Sequence, residues 1–233
     1  MSGFRFPSLR VDLRDPREFV MQCEKCRTNA VIHIADACDR TVVEEAHLCE
    51  EHARSFLRDH APPVSSANRD WPPAAERSSG IVEAAAVIGI TPTPAGPASR
   101  PGAGEVLMDV NRLVISEIHE HQTVVLREVG GERCFSCAIG IFEATNLDRR
   151  LKRLPTPRPL THDAWADSIV ACGGQVRDVV IHDLQDHTYY ALIRIRQDGR
   201  LVTVDARPSD AWAIALVCEV PILVAASVLA QLA

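Results

Sequence analysis

The placement of proline constrains this chain more than any other feature. Eight of its 15 prolines fall between Pro62 and Pro101, in stretches reading APPVSSANRDWPPAAERSSG and TPTPAGPASRPGAG. Proline fixes φ and removes a backbone donor, so a segment this rich in it suits neither helix nor sheet interiors. Its alanines, serines and glycines bury too little apolar surface to offset the entropy of ordering. The 233 residues therefore divide into an N-terminal extension (1–19), a small module (20–60), a Pro/Ala/Ser-rich linker (61–104) and a domain of ordinary size (105–233). Within the linker, 81–90 (IVEAAAVIGI) is apolar enough to dock as a short helix or strand.

Apolar residues at 46% and charged residues at 24% are globular values. The longest apolar runs are broken by Glu83, Glu219 and Pro221, short of the ~20 residues a membrane-spanning helix needs. The first 17 residues are polar and arginine-rich without an apolar core, unlike a secretory leader. A cytoplasmic, reducing location with no membrane contact is expected. There, eight cysteines serve as metal ligands or small buried side chains rather than disulfides. The net charge of −6 argues against a basic coat for non-specific nucleic-acid binding.

Between residues 21 and 53 two close pairs stand out, Cys23-x-x-Cys26 and Cys49-x-x-His52. A two-residue gap lets one tight knuckle aim both side chains at a single ion, and two knuckles complete a tetrahedral zinc shell. The alternation at 30–34 reads as a strand and Thr41-Val-Val as its hairpin partner, with a helix opening at His52. About thirty residues supply little core, so Zn2+ would furnish much of the folding energy in a closed, structural site. Cys38, His33 and His47 are spare candidates, read as packing or surface residues. MxCxxC followed by HLCxxHA resembles the zinc module of activator proteins of bacterial protein-arginine kinases, which implies docking of a protein partner.

From Glu105 the pattern turns strand-rich. Segments 106–116 and 122–128 have the β-branched content of strands, and Gly130-Gly131 turns the second into 133–139. Spacing at 141–154 is helical. A second hairpin is expected from 176–184 and 189–196, with Asp198-Gly199 turning into 201–205. Helices follow at about 209–218 and 224–232, separated by Pro221. Without a regular βαβ repeat the class is α+β: a mixed or antiparallel sheet packed with helices, preceded by the zinc module and the linker. The CFSC stretch places Cys134 and Cys137 three apart on a strand, facing opposite sides, which suits packing better than ligation. Cys172 and Cys218 are also read as packing residues.

Two phrases share a design, Arg158-Pro-Leu-Thr161-His162-Asp163 and Arg207-Pro-Ser209-Asp210. Each sets an Arg-Pro before a hydroxyl residue suited to cap a helix, with Asp in the first turn. Such capping alone would justify the residues. If the two helix starts converge, however, they form an anion site led by Arg158 and Arg207, with Thr161 and Ser209 beside it. His162, Asp163, Asp205, Asp210 and Glu143 would then be candidates for catalytic acid–base work or metal ligation.

These phrases also carry a resemblance. Gly131-Glu-Arg133, Ile139-Gly140-Ile-Phe-Glu143-Ala144, RPLTHD, the Val180–Leu192 run (VIHDLQDHTYYAL), VDARPSDAxAxAL at 204–216, and Pro221-Ile222 resemble the bifunctional nuclease domain family. The resemblance implies a self-associating α+β domain acting on DNA and RNA. Two departures stand out: CFSC replaces the usual apolar strand, and the helix after Ala144 is more polar and basic than the family's. On this basis the chain is expected to be a nuclease, a hydrolase of phosphodiester bonds in DNA or RNA assisted by Mg2+ or Mn2+. Arg149, Arg150, Lys152 and Arg153 would follow the nucleic-acid backbone. The alternative is a non-catalytic zinc-containing regulatory or adaptor protein, using the C-terminal domain for self-association as a homodimer or higher oligomer, or for anion sensing.

Overall fold

The computed structural model describes residues 21–60, 92–93 and 104–232. The N-terminal extension, the segment 81–90 and most of the expected linker lie outside the described residues. In chain order, β1 (Ile32–Cys38), β2 (Thr41–Leu48) and α1 (Glu50–Asp59) come first. The two-residue β3 (Pro92–Thr93) is followed by β4 (Glu105–Ser116), β5 (Gln122–Glu128) and β6 (Cys134–Ile139). Helices α2 (Ile141–Leu151) and α3 (Thr161–Ala171) precede β7 (Gly174–Gln185), β8 (Thr188–Gln197) and β9 (Arg200–Ala206). The chain closes with α4 (Pro208–Cys218), β10 (Ile222–Ala225) and α5 (Ala226–Gln231).

All ten strands belong to one mixed sheet in the order β2-β1-β4-β10-β7-β8-β9-β3, with β5 on β4 and β6 on β5. The class is α+β, as its sequence pattern indicates. Among the described strands, β10 with β7 is the parallel pair. One edge of β4 is shared: Glu105–Met108 pairs with β10, whereas Arg112–Ser116 pairs with β1. Its other edge takes β5.

Both expected hairpins form, β5–β6 and β7–β8, and the latter turns at Asp186 and His187 with positive φ. One expectation needs correction. Residues 224–225 are strand, not helix, because Ile222-Leu-Val-Ala fills a slot between β4 and β7. So short an apolar run has no periodicity to distinguish strand from helix. A second correction concerns the caps. Leu160 and Arg207 hold the N-cap positions of α3 and α4, so Thr161 and Ser209 are already helical, and neither helix has a side-chain N-cap bond. At α3 the Asp163 carboxylate accepts the Leu160 backbone N–H at 2.8 Å, and at α4 Pro208 opens the helix.

Helices α2, α3, α4 and α5 cover one sheet face. Met108, Leu126, Phe135, Ile181, Ile193 and Val224 meet Leu147, Leu151, Trp212 and Val228 there. Helix α4 is buried at five consecutive positions, Ala211 through Ala215, as expected of an element lying under two other helices and on a sheet. Cys137 joins this core and Cys134 is buried outside it, so the pair behaves as packing residues on opposite faces. Cys38 and Cys172 are exposed instead, so for Cys172 packing is not its role.

The opposite face is covered at one end by α1, over Cys23, Ile32, Ile34, Ala46, Leu48 and Ala53. Pairing of β1 with β4 puts this hairpin in the same sheet as the later chain. Side chains fasten it further. Arg112 on β4 forks onto Asp36 on β1, donates to the His60 carbonyl at 2.5 Å, and lies 5.6 Å from the Phe56 ring centre. From the β1–β2 turn, Arg40 donates to the Val220 carbonyl at 2.8 Å and pairs with Asp109 at 3.3 Å. Lys152 of α2 reaches Glu45 of β2 at 3.2 Å.

Candidate functional site

Two regions bring reactive side chains together. In the first, a turn after Cys23 and the start of α1 juxtapose Cys23, Cys26, Cys49 and His52, with ligand atoms all within 4.8 Å. Cys26 Sγ is 3.7 Å from Cys49 Sγ, and His52 Nδ1 is 3.6 Å from Cys23 Sγ and 3.2 Å from Cys49 Sγ. Zinc–sulfur bonds of ~2.3 Å in a tetrahedron place sulfurs about 3.8 Å apart, so the donor set suits zinc. The His52 backbone N–H stabilises the Cys49 thiolate and brings its pKa down to about 7. Burial opposes ionisation of Cys23, but backbone N–H groups of Cys49, Lys25 and Cys26 outweigh it and the pKa falls. The Cys3His set could therefore hold Zn2+ in a closed shell.

The second region lies where α2, α3 and α4 begin. Gly140 is the N-cap of α2, and a Cβ there would collide with Glu143 Oε2, so glycine lets this carboxylate fold back over the helix start. Glu143 Oε1 pairs with Arg207 at 3.0 Å. Arg207 also donates through Nε to Asp210 Oδ2 at 2.7 Å, and through a terminal nitrogen to Oδ1 at 3.2 Å. From α3, His162 Nε2 meets Asp210 Oδ1 at 3.2 Å, while Asn146 Nδ2 faces His162 Nδ1 at 3.4 Å. An amide N–H on Nδ1 leaves the proton on Nε2, where Asp210 accepts it. Burial would raise the Asp210 carboxyl, but Arg207 and His162 hold it below the usual range. The N-terminal turns of α3 and α4 thus meet through His162 and Asp210, without bringing Arg158 beside Arg207.

Beside this network runs a cleft of about 1440 Å³. Glu143, Asp205, Arg207 and Ser209 line it, and so do His119, His121, His187 and Tyr190; His187 and Tyr190 fall in the 180–192 run, but none of the four stands out as a candidate in the sequence. Asp205, at the end of β9, is exposed. Across α2 is a smaller pocket of about 360 Å³, lined by Arg149, Arg150, Arg158 and Asp163. There Arg150 and Asp163 form an ion pair at 2.6 Å, and the guanidinium is the main cause of a depressed Asp163 pKa. Buried guanidinium nitrogens of Arg149 and Arg150 lack aligned acceptors.

The nominated residues therefore fall into two places. Glu143, His162, Arg207 and Asp210 form one network, with Asp205 and Ser209 on the adjoining cleft wall. Asp163, Arg149, Arg150 and Arg158 belong to the arginine pocket, while Thr161 and Arg153 are exposed nearby. Among the described residues, groups of three or more His, Cys, Asp and Glu ligand atoms within 4.8 Å occur in the N-terminal hairpin region and not among these acids. They build no closed metal cage. Of these acids, Glu143 and Asp205 line the cleft, and Glu143 is already paired with Arg207.

Among the described residues no helix is long and apolar enough to cross a membrane. Two relatives are Uncharacterized protein MT1877 of Mycobacterium tuberculosis (strain CDC 1551 / Oshkosh) and Uncharacterized protein Rv1829 of strain ATCC 25618 / H37Rv. This chain is 40% identical to each over 117 residues, which is 50% of its own length and 70% of theirs. Residues 124–233 match the family described as Bifunctional nuclease domain. That stretch holds the Gly140–Glu143 helix start, the twin Arg-Pro helices and the whole network around Arg207, and through it the chain belongs to the bifunctional nuclease domain family.

Proposed function

We propose that the C-terminal domain hydrolyses phosphodiester bonds of DNA or RNA at the cleft rim where Glu143, Asp205 and Arg207 stand. The observation that carries this reading is the meeting of α3 and α4 through His162 and Asp210, beside the 66%-exposed guanidinium of Arg207. Two helix starts and a planar cation are suited to a phosphate. Asp210 and Glu143 orient the guanidinium, and His162 is a positioning residue that acts through Asp210. Asp205, exposed on the cleft wall, would accept a proton from attacking water.

Arg207 with Glu143 and Asp210 carries a formal charge of −1, which by itself repels a phosphate. A Mg2+ or Mn2+ ion near Glu143 and Asp205 would supply the missing positive charge and polarise the phosphoryl oxygen. Arg149, Arg150, Arg153 and Arg158 would contact neighbouring phosphates across α2. Structural Zn2+ in the Cys3His set would hold the N-terminal module, whose outer surface would take a protein partner. Self-association would cover Phe142, 85% exposed, and Val170, 67% exposed.

The test is cleavage of fluorescent single- and double-stranded DNA and RNA, with and without Mg2+ or Mn2+. Arg207→Ala is expected to lower turnover more than tenfold with its melting curve little changed. Equal turnover in wild type and variant, or none in zinc-loaded wild type on any substrate, would refute the reading. One observation favours the anion-sensing alternative: the buried Nε–H groups of Arg149 and Arg150 have no acceptor among the described residues. Phosphate or nucleotide binding that is lost in Arg150→Ala, without any cleavage, would support it.

A further inference from the structure

We infer a second transition-metal site, formed by His33, His47 and Glu45, at the seam between the N-terminal hairpin and α2. His33 and His47 are directly opposite in the β1–β2 register, and Glu45 is two residues from His47 on the same strand face. This is the face that also presents Ala35 and Ala37 to the helix layer. The ligand atoms of the three lie within 4.8 Å of one another. His33 Nδ1 is 3.1 Å from His47 Nε2. Zinc–nitrogen bonds of ~2.0–2.1 Å place two ligating nitrogens about 2.9–3.4 Å apart, for angles between square and tetrahedral. The separation therefore matches a shared ion as well as it matches an imidazole–imidazole hydrogen bond.

The groups behind the imidazoles favour the ion. His33 Nε2 faces Asp148 Oδ1 at 3.3 Å, and His47 Nδ1 faces Glu24 Oε1 at 3.7 Å. His33 thus has a carboxylate within hydrogen-bond reach of its far nitrogen, the arrangement that keeps the proton there and turns the near lone pair toward a metal, while Glu24 accepts the His47 backbone N–H at 3.0 Å. Lys152 Nζ lies 2.9 Å from Asp148, 3.2 Å from Glu45 Oε2 and 3.4 Å from His33 Nε2. It can donate to His33 Nε2 when no metal is bound, so the imidazole can change tautomer without moving. Two imidazoles and one carboxylate suit Zn2+ and leave a fourth position for water. Side-chain exposures of 17% for His33, 23% for His47 and 38% for Glu45 give the ion an entry path.

The test uses the full chain, stripped and reloaded, with Zn2+ counted at equilibrium and Co2+ substitution followed by visible absorption. Two equivalents are expected. The first carries a thiolate-to-cobalt charge-transfer band from the Cys3His set, and the second lacks it. His33→Gln and His47→Gln should each bind one equivalent with the charge-transfer band intact. Asp148→Asn should bind two, the second weakened about 10–100-fold. One equivalent in wild type, or an undiminished second equivalent in either histidine variant, overturns the site. Should a histidine variant lose the charge-transfer band, Glu45→Gln at its exposed position decides: a second equivalent weakened about tenfold sustains the site, and unchanged affinity overturns it.

Discussion

Asp36→Ala should destabilise the chain well beyond the usual cost of removing a surface carboxylate. Asp36 receives both sides of the Arg112 fork, and Arg112 is only 9% exposed at its side chain. Truncating Asp36 leaves a nearly buried cation with the His60 carbonyl and the Phe56 ring as company. Removing one member of a buried pair costs about 3–5 kcal/mol. Because Asp36 is itself 19% exposed, water can partly replace it, and about 3 kcal/mol is the better expectation. For a domain of this size 1 kcal/mol moves the melting temperature by about 2–4 °C, so a fall of about 6–12 °C should follow. Asp36→Asn keeps one acceptor and should fall less. Asp36→Leu with Arg112→Met removes the charge along with its partner and should recover part of the loss. Calorimetric melts at neutral pH read all four proteins. A drop under about 2 °C in Asp36→Ala would mean that the β1–β4 seam is not held as described, and the assignment of one continuous sheet would fail.

Gly140→Ala should displace the Glu143 carboxylate from Arg207 at little cost in stability, since the clash is with the end of a flexible side chain. If the proposed function holds, cleavage should fall while melting stays within about 1 kcal/mol of wild type. Removal of zinc by a chelator, or Cys23→Ser with Cys49→Ser, should open the N-terminal module to protease before the rest of the chain, because the core there is small. Asp163 and Asp210 titrate below the ordinary carboxylate range, so their contribution is present above about pH 4 and is lost as the pH falls through the folded values. Asp163→Asn should therefore lose stability at neutral pH and show a shallower decline on acidification, measurable in melts from pH 7 to 3.

Local patterns were legible and meetings between distant segments were not. The spacing of Cys23, Cys26, Cys49 and His52 is a property of two short turns, so the sequence announces it. Strands β4 to β9 alternate or run apolar between turn residues, and their limits fall within a few positions of the pattern. By contrast, β10 is four apolar residues whose state is decided by an empty slot between two strands. The capping role assigned to Thr161 and Ser209 failed by one or two residues, which is the shift between an N-cap and a first helical turn. Asn146 on His162, and Asp148 and Lys152 on His33, join elements 16 to 119 positions apart. No motif spacing records such contacts, because the sheet register and the helix layer create them.

The position of β10 has a consequence for how the protein is made. The strands β2, β1, β4, β5 and β6 form one block, and β7, β8, β9 and β3 another, and in the sheet order only β10 stands between β4 and β7. During synthesis both blocks leave the ribosome before the strand that joins them. Each must wait with an unpaired inner edge, which is where a growing chain is most exposed to mispairing and to capture by chaperones. The cleft, lined by residues of both blocks, therefore depends on residues 222–225 for its two sides to meet.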